Sequence, residues 1–167
     1  AARAATEVTM FREMRRSEKQ LTKSEAEAIL SRCTNGTLAV HGDDGYPYAV
    51  PVSYAYADGK IYFHGALAGH KADAIERNDK VSFCVTAEDD IKPESFNTWY
   101  NSVVAFGRAR LLRDDAEKQH CLECLIGKYS AAYHDQGQEY IKKAWAKTAA
   151  FEIRVEHMTG KSGVPKS

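Results

Sequence analysis

Two imidazoles, one ammonium and two glycines fall within eight residues at His64-Gly65-Ala66-Leu67-Ala68-Gly69-His70-Lys71. Before this segment, Lys60–His64 alternates and carries the bulky residues a strand favours. After it, Ala72 to Arg77 is a short run of helix formers that ends at Asn78. A glycine-containing loop that opens a helix gathers unpaired backbone N–H groups around a space suited to an anion. The charges sharpen the point. His70 and Lys71 stand at the helix start, where the dipole disfavours cations by roughly 0.3–1 kcal/mol each. A bound phosphate would offset that cost; a solvated lysine beside a surface histidine is the competing reading, and the loop alone leaves both open.

Other candidate chemistry is weaker. Cys121-Leu122-Glu123-Cys124, with His120 beside it, places two thiols at i and i+3 on one helical face. A structural zinc site needs four ligands, and no second Cys-x-x-Cys or His-x-x-x-His exists to supply them. A redox pair of the thioredoxin type belongs at a helix start after a strand, whereas this pair is mid-helix. Core packing is the better account of these cysteines, and no metal is expected. There is no Gly-x-Ser-x-Gly elbow, and Ser53 and Ser102 are strand residues without a local base. Val50-Pro51-Val52-Ser53-Tyr54 puts a proline inside an apolar run. It is either an edge strand that tolerates proline or a strand whose free backbone groups read a flat heterocycle edge-on. Trp99-Tyr100-Asn101-Ser102 adds an aromatic, hydroxyl-bearing wall that core or interface packing would also explain.

The elements that must position these groups read as follows. Thr22-Lys23-Ser24-Glu25 is a capping box for a helix that runs to about Cys33 and stops at Asn35-Gly36. Strands are expected at 37–41, 46–56, 60–64, 80–86, 98–112 and 150–157, with Asp58-Gly59 as a hairpin turn. A polar segment, 87–97, separates the fourth and fifth. Strand 98–112 is long enough to curve around a barrel. Asp114/Asp115 cap a helix with Cys121, Leu122, Leu125 and Tyr129 at helical spacing, and Tyr140, Ile141, Ala144 and Trp145 make a second apolar stripe over 138–147. The expected architecture is α+β: a six-stranded antiparallel split β-barrel with peripheral helices. Without regular alternation of strands and long helices, a Rossmann-type fold is disfavoured.

Composition bounds the rest. The 167 residues suffice for one domain with a full core, or for half of a symmetric dimer. The formal net charge is zero, with no long single-sign run, so nothing supports nucleic-acid binding. No run approaches the roughly 20 apolar residues of a membrane span. Residues 1–9 are small and polar and read as a leader left over from expression, 10–161 as the single domain and 162–167 as a tail. Four unevenly placed cysteines do not suggest a disulfide framework, and the expected compartment is the cytoplasm.

Taken in order, several segments resemble the flavin-binding split barrel of the pyridoxamine 5'-phosphate oxidase superfamily, nearest to its nitroimidazole-resistance branch. They are Met10–Arg16, Asn35–Ala39, Gly45–Pro51, Asp58–His64, Gly69-His70-Lys71, Val81–Cys84, Ser102–Ala109 and His157–Lys161. The resemblance implies a homodimer with FMN, or FAD, at two sites along the subunit interface. Val50, Pro51, Val52 and Ser53 would line the isoalloxazine, while Phe63, His64, His70 and Lys71 would lie on the phosphate side. Trp99, Tyr100 and Ser102 would complete the site, in part from the second subunit, and Gly160 and Lys161 would reach the flavin from the tail. Gly65 departs from the serine expected there, which removes a hydroxyl and permits close backbone approach. The tail lacks the arginine that the oxidase uses to hold its vitamin phosphate, so pyridoxamine phosphate oxidation is disfavoured.

The implied activity is reduction of a small molecule, on the pattern of nitro-group reduction, with His70 as proton donor or as plain phosphate ligand. No nicotinamide motif names the electron donor. The alternative from another class is a flavin- or haem-binding protein without turnover, with His64 or His70 as axial ligand.

Overall fold

The computed structural model describes residues 11–165; residues 1–10, where the leader was expected, and the last two residues lie outside the described residues. Seven antiparallel strands form one sheet: β1 (Asn35–His41), β2 (Pro47–Ser53), β3 (Ala55–Ala57), β4 (Lys60–Ala66), β5 (Lys80–Lys92), β6 (Asn97–Leu111) and β7 (Thr148–Ser162). Their spatial order is β2-β1-β5-β6-β7-β4-β3. Among the described residues the α-helices are α1 (Lys23–Arg32), α2 (His70–Arg77), α3 (Asp115–Tyr129) and α4 (His134–Ala144).

The strand expected over 46–56 is two strands, which makes the count seven rather than six and leaves the barrel unclosed. Tyr54 divides them. Its backbone N–H donates to the Tyr129 hydroxyl at 2.9 Å, and that hydroxyl lies 2.7 Å from the Tyr54 carbonyl and 2.6 Å from the Thr34 carbonyl. The Tyr54 hydroxyl donates to the Leu30 carbonyl at 2.6 Å. A side chain of α3 therefore satisfies the backbone groups that a ladder would otherwise use. Freed from one neighbour, the chain passes from β2, paired to β1, straight to β3, paired to β4. The two edges of the sheet are thus joined through one residue.

The two prolines of β2 stand where a missing donor costs least, exposed on this edge strand, with Pro47 opposite His41 and Pro51 opposite Thr37. The capping box of α1 forms as its residues require: the Thr22 hydroxyl accepts from the Glu25 N–H, and the Glu25 carboxylate accepts from the Thr22 N–H. Asp58 and Gly59 both take positive φ, 51° and 74°, as a two-residue hairpin turn demands. The polar segment 87–97 is a correction. Most of it continues β5, past an irregularity between Thr86 and Glu88, and pairs with an extended β6. A run of consecutive charges, Glu88-Asp89-Asp90, concealed a strand whose faces both meet solvent.

Alternation along β4 sorts the interior into two cores. Ile61 and Phe63 point into the barrel with Leu38, Phe83, Val103 and Phe151. Tyr62 points outward beneath α3 and α4 with Cys121, Leu122 and Ile141. Cys121 is wholly buried, its Sγ 3.7 Å from the Phe63 carbonyl and 3.8 Å from that of Phe151. Burial pushes its thiol up to about 12, which disfavours the thiolate that metal or redox chemistry requires.

Candidate functional site

The junction of β4 and α2 is where the cationic loop lies. Gly69 caps α2 at φ 141° and offers no side chain to the helix start, so the first N–H groups of α2 depend on something outside the helix. Lys71 folds back across Gly65: a Cβ at position 65 would lie 2.9 Å from Lys71 Cε and 3.0 Å from Nζ. The absence of a side chain at 65 therefore makes room for this ammonium. Among the described residues no carboxylate lies within ion-pair distance of Lys71. An ammonium without a counter-ion, held beside free N–H groups, is an arrangement that an anion completes. His64 stands next to it, and burial, with Lys71 second, holds its imidazole below the ordinary histidine value.

His70 faces another way. Its ring stacks on Tyr48 at 4.0 Å between centroids, and its buried Nε2 lies 3.6 Å from the Asp43 carboxylate, which also takes Arg77 at 2.7 Å. This cluster ties the start of α2 to the β1–β2 turn.

Continuing the β3–β4 register places Ser53 opposite His64, and both line a cleft of about 580 Å³ under α3 and α4. The cleft wall is Leu122, Ile126, Tyr129, Tyr133, Tyr140 and Thr148, among others. Sequence reasoning missed this helical wall. Tyr140, a member of the apolar stripe over 138–147, is 72% exposed, while Ile141 beside it is buried. The only signal was a surplus of tyrosines on two amphipathic helices. A second cleft, of about 390 Å³ beside the β1–β2 turn, includes Pro47 but none of the candidate site residues.

The other candidates fall into four groups. Val50 and Val52 pack against the barrel core from β2, and Pro51 and Ser53 face outward on its edge. Phe63 is fully buried and stacked on Phe151 at 4.9 Å, so its ring belongs to the core rather than to a ligand surface. Gly160 packs under α1, where a Cβ would lie 2.9 Å from Ala26 Cβ and 3.0 Å from Leu21 Cβ; its lack of a side chain serves helix packing. Trp99, Tyr100, Ser102 and Lys161 share the far end of the β6–β7 ladder. Ser102 is opposite Lys161, the Lys161 ammonium is 5.6 Å from the Tyr100 ring centre, and Lys92 sits 4.5 Å over Trp99.

One chain does not bring the two groups together. His64 is opposite Ala150 on β7 and Ser102 is opposite Lys161 on the same strand. At 3.2–3.4 Å per residue that interval is about 35 Å of strand, with the filled barrel core between.

An antiparallel split barrel with a cationic loop at a helix start defines the class of protein, and comparison gives the family. The chain belongs to the pyridoxamine 5'-phosphate oxidase family, whose model of that description matches residues 22–162. A search of curated proteins found no match. Among solved structures, the fold is similar to a candidate 5-nitroimidazole antibiotic resistance protein from Bacteroides thetaiotaomicron, at 21% identity over 86% of each chain and TM-score 0.73. It is similar to a conserved hypothetical protein from Mycobacterium tuberculosis, at 20% identity over 93% of this chain and 96% of that one, TM-score 0.78. It is also similar to an FAD- and haem-binding protein from Mycobacterium smegmatis, at 20% identity over 89% of this chain and 76% of that one, TM-score 0.70. Among the described residues no helix is long and apolar enough to cross a membrane.

Proposed function

We propose that the protein is a flavin-dependent reductase, active as a homodimer, that passes electrons to a small aromatic acceptor of the nitro class. The observation that carries this reading is the Lys71 ammonium laid across Gly65, without a counter-ion among the described residues and beside the free N–H groups of α2. That set fits the phosphate of a flavin mononucleotide, and it equally suits the proximal phosphate of FAD. The edge of β2 at Val50–Ser53 offers a ledge for the ring system, since among the described residues β2 pairs with β1 alone. The 5-nitroimidazole resistance relative supports the acceptor class, and the FAD-binding relative supports the cofactor class.

When bound, the flavin supplies the two-electron chemistry. The chain's own residues bind and orient it. Lys71 and the α2 N–H groups hold the phosphate, and His64, neutral above its lowered pKa, presents its ring to the cleft without adding charge. Trp99, Tyr100, Ser102 and Lys161 enter from the second copy. We assign His70 to holding the loop, because its buried Nε2 faces Asp43 rather than an open space.

Purified protein is expected to carry or take up flavin, seen as a two-banded absorption spectrum. Lys71→Ala should weaken flavin binding about ten-fold or more with no loss of fold; unchanged affinity would overturn the phosphate assignment. Mixing reduced flavoprotein with a nitroimidazole under anaerobic conditions should reoxidise the flavin, and failure to do so would remove the reductase reading. A haem-carrying protein without turnover is the second reading, favoured by His64 facing a cleft in the neutral form that ligates iron. A Soret band on haem addition that His64→Gln abolishes would establish it.

A further inference from the structure

Helix α2 has few apolar anchors for an element that must aim a charged group. It spans eight residues and buries Ala72, Ala74 and Ile75, of which only Ile75 is large. A helix this short is marginal on its own, so its placement depends on tertiary contacts. Small buried residues set how closely it approaches the sheet and leave its rotation about its own axis weakly fixed. That rotation matters for Lys71. Each step along a helix turns a side chain by about 100°, so the lysine reaches across Gly65 only within a narrow range of settings.

One carboxylate supplies what the apolar face does not. Asp43, on the β1–β2 turn, accepts from Arg77 Nη2 at 2.7 Å on one oxygen and faces His70 Nε2 at 3.6 Å with the other. His70 and Arg77 are the first and last residues of α2, seven apart, so both lie on one face. Among the described residues no other carboxylate lies within ion-pair distance of either. The turn is shaped for this contact. The Gly42 N–H donates to the Tyr46 carbonyl at 2.9 Å, the Tyr46 N–H donates to the Asp43 carbonyl at 3.0 Å, and Asp44 and Gly45 take positive φ, 53° and 78°. A Cβ at position 42 would lie 2.6 Å from the Tyr46 carbonyl oxygen and 3.2 Å from His70 Nε2, so a side chain there would displace both. Tyr48 stacks on the same imidazole at 4.0 Å. Exposed ion pairs add little to global stability, so the convergence of this turn on both ends of α2 calls for another account.

We propose that Asp43 is a positioning residue for the phosphate site: it fixes the rotation of α2 and so holds Lys71 across Gly65. This rests on the phosphate reading of Lys71 given above and extends it to a residue that touches no ligand. The sign of the expected effect separates positioning from simple electrostatics. A carboxylate repels a phosphate through space, so loss of its charge alone would tighten FMN binding or leave it unchanged. Loss of a positioning contact weakens it instead.

Dissociation constants of FMN and of riboflavin, which lacks the phosphate, test this in wild type, Asp43→Asn, Lys71→Ala and the double variant. Asp43→Asn should raise the FMN constant about five-fold, with the riboflavin constant and the unfolding midpoint unchanged. In the Lys71→Ala background the same substitution should add nothing, because both act through one contact. Where wild type prefers FMN to riboflavin, three results would each overturn the proposal: tighter or unchanged FMN binding in Asp43→Asn, an equal loss for riboflavin, or additive effects in the double variant. A second readout needs no flavin. The nuclear Overhauser contact between the Lys71 ε-methylene and the Gly65 α-protons should vanish in Asp43→Asn, and its persistence would overturn the placement. Its loss in a protein that does not prefer FMN to riboflavin would uphold the placement by Asp43 and defeat the phosphate reading.

Discussion

The two ends of β7 are built on opposite plans. At the Thr148 end the strand is buried on both faces: Ala149 and Phe151 enter the barrel core and Ala150 lies beneath α3 and α4. This rigid end fixes Gly65 and, through it, Lys71. At the Ser162 end the ladder thins into a two-stranded arm with half-exposed aromatics and a fully exposed Phe96. Rigid packing suits a group that must hold a phosphate in place, whereas a polar two-stranded ribbon is the less stable end of the sheet. Each end thus carries the half of the candidate site that its packing can support.

The contrast can be broken most forcibly at the core. Phe63→Ala, which deletes a fully buried ring stacked on Phe151, should cost about 3–5 kcal/mol in denaturant unfolding. A loss below about 1 kcal/mol would mean that the Thr148 end is not the rigid one. Tyr129→Phe comes next, because it strips the hydroxyl that stands in for a ladder at Tyr54 and leaves a buried N–H without its partner. A loss of about 1–3 kcal/mol is expected, with faster amide exchange confined to Ser53–Ala55. Global rather than local exchange would show that the Tyr54 joint is not a separate unit.

Lys71→Ala separates binding from stability at the same end: the flavin dissociation constant should rise about ten-fold or more with the unfolding midpoint unchanged. A fall in both would make Lys71 a structural residue. The smallest effect concerns His64. Its folded pKa is lowered, so below the unfolded value of about 6.5 the unfolded chain binds more protons, and stability falls as pH falls through that value toward the folded pKa. Above it, nothing is gained or lost. Urea titrations from pH 7.5 to 5 should show this slope diminished in His64→Gln; an identical slope would place the titrating group elsewhere.

Much of this was legible in the residues. The Thr22–Glu25 box, the Asp58-Gly59 turn, edge prolines and a glycine-opened helix at His70 rest on contacts within a few residues, which sequence spacing encodes directly. The long strand β6 lies where it was expected, 97–111 against 98–112, but the extension of β5 past Thr86 was not legible, because a strand solvated on both faces leaves no period-2 pattern. The break at Tyr54 was hidden for a different reason. Its cause, the Tyr129 hydroxyl, lies 75 residues away.

The sequence by itself therefore determined the barrel class, the loop that could hold a phosphate, and the residue types of the proposed flavin site. Only the tertiary structure decided how those residues are divided. It turned His70 toward Asp43, gave Phe63 and Gly160 to packing, laid Lys71 over Gly65, and put the aromatic wall at the far end of β7 from His64. The physical reason is register. A ladder that shifts by several residues from strand to strand around a barrel carries neighbours in pattern to opposite ends in space, and no local spacing records that sum.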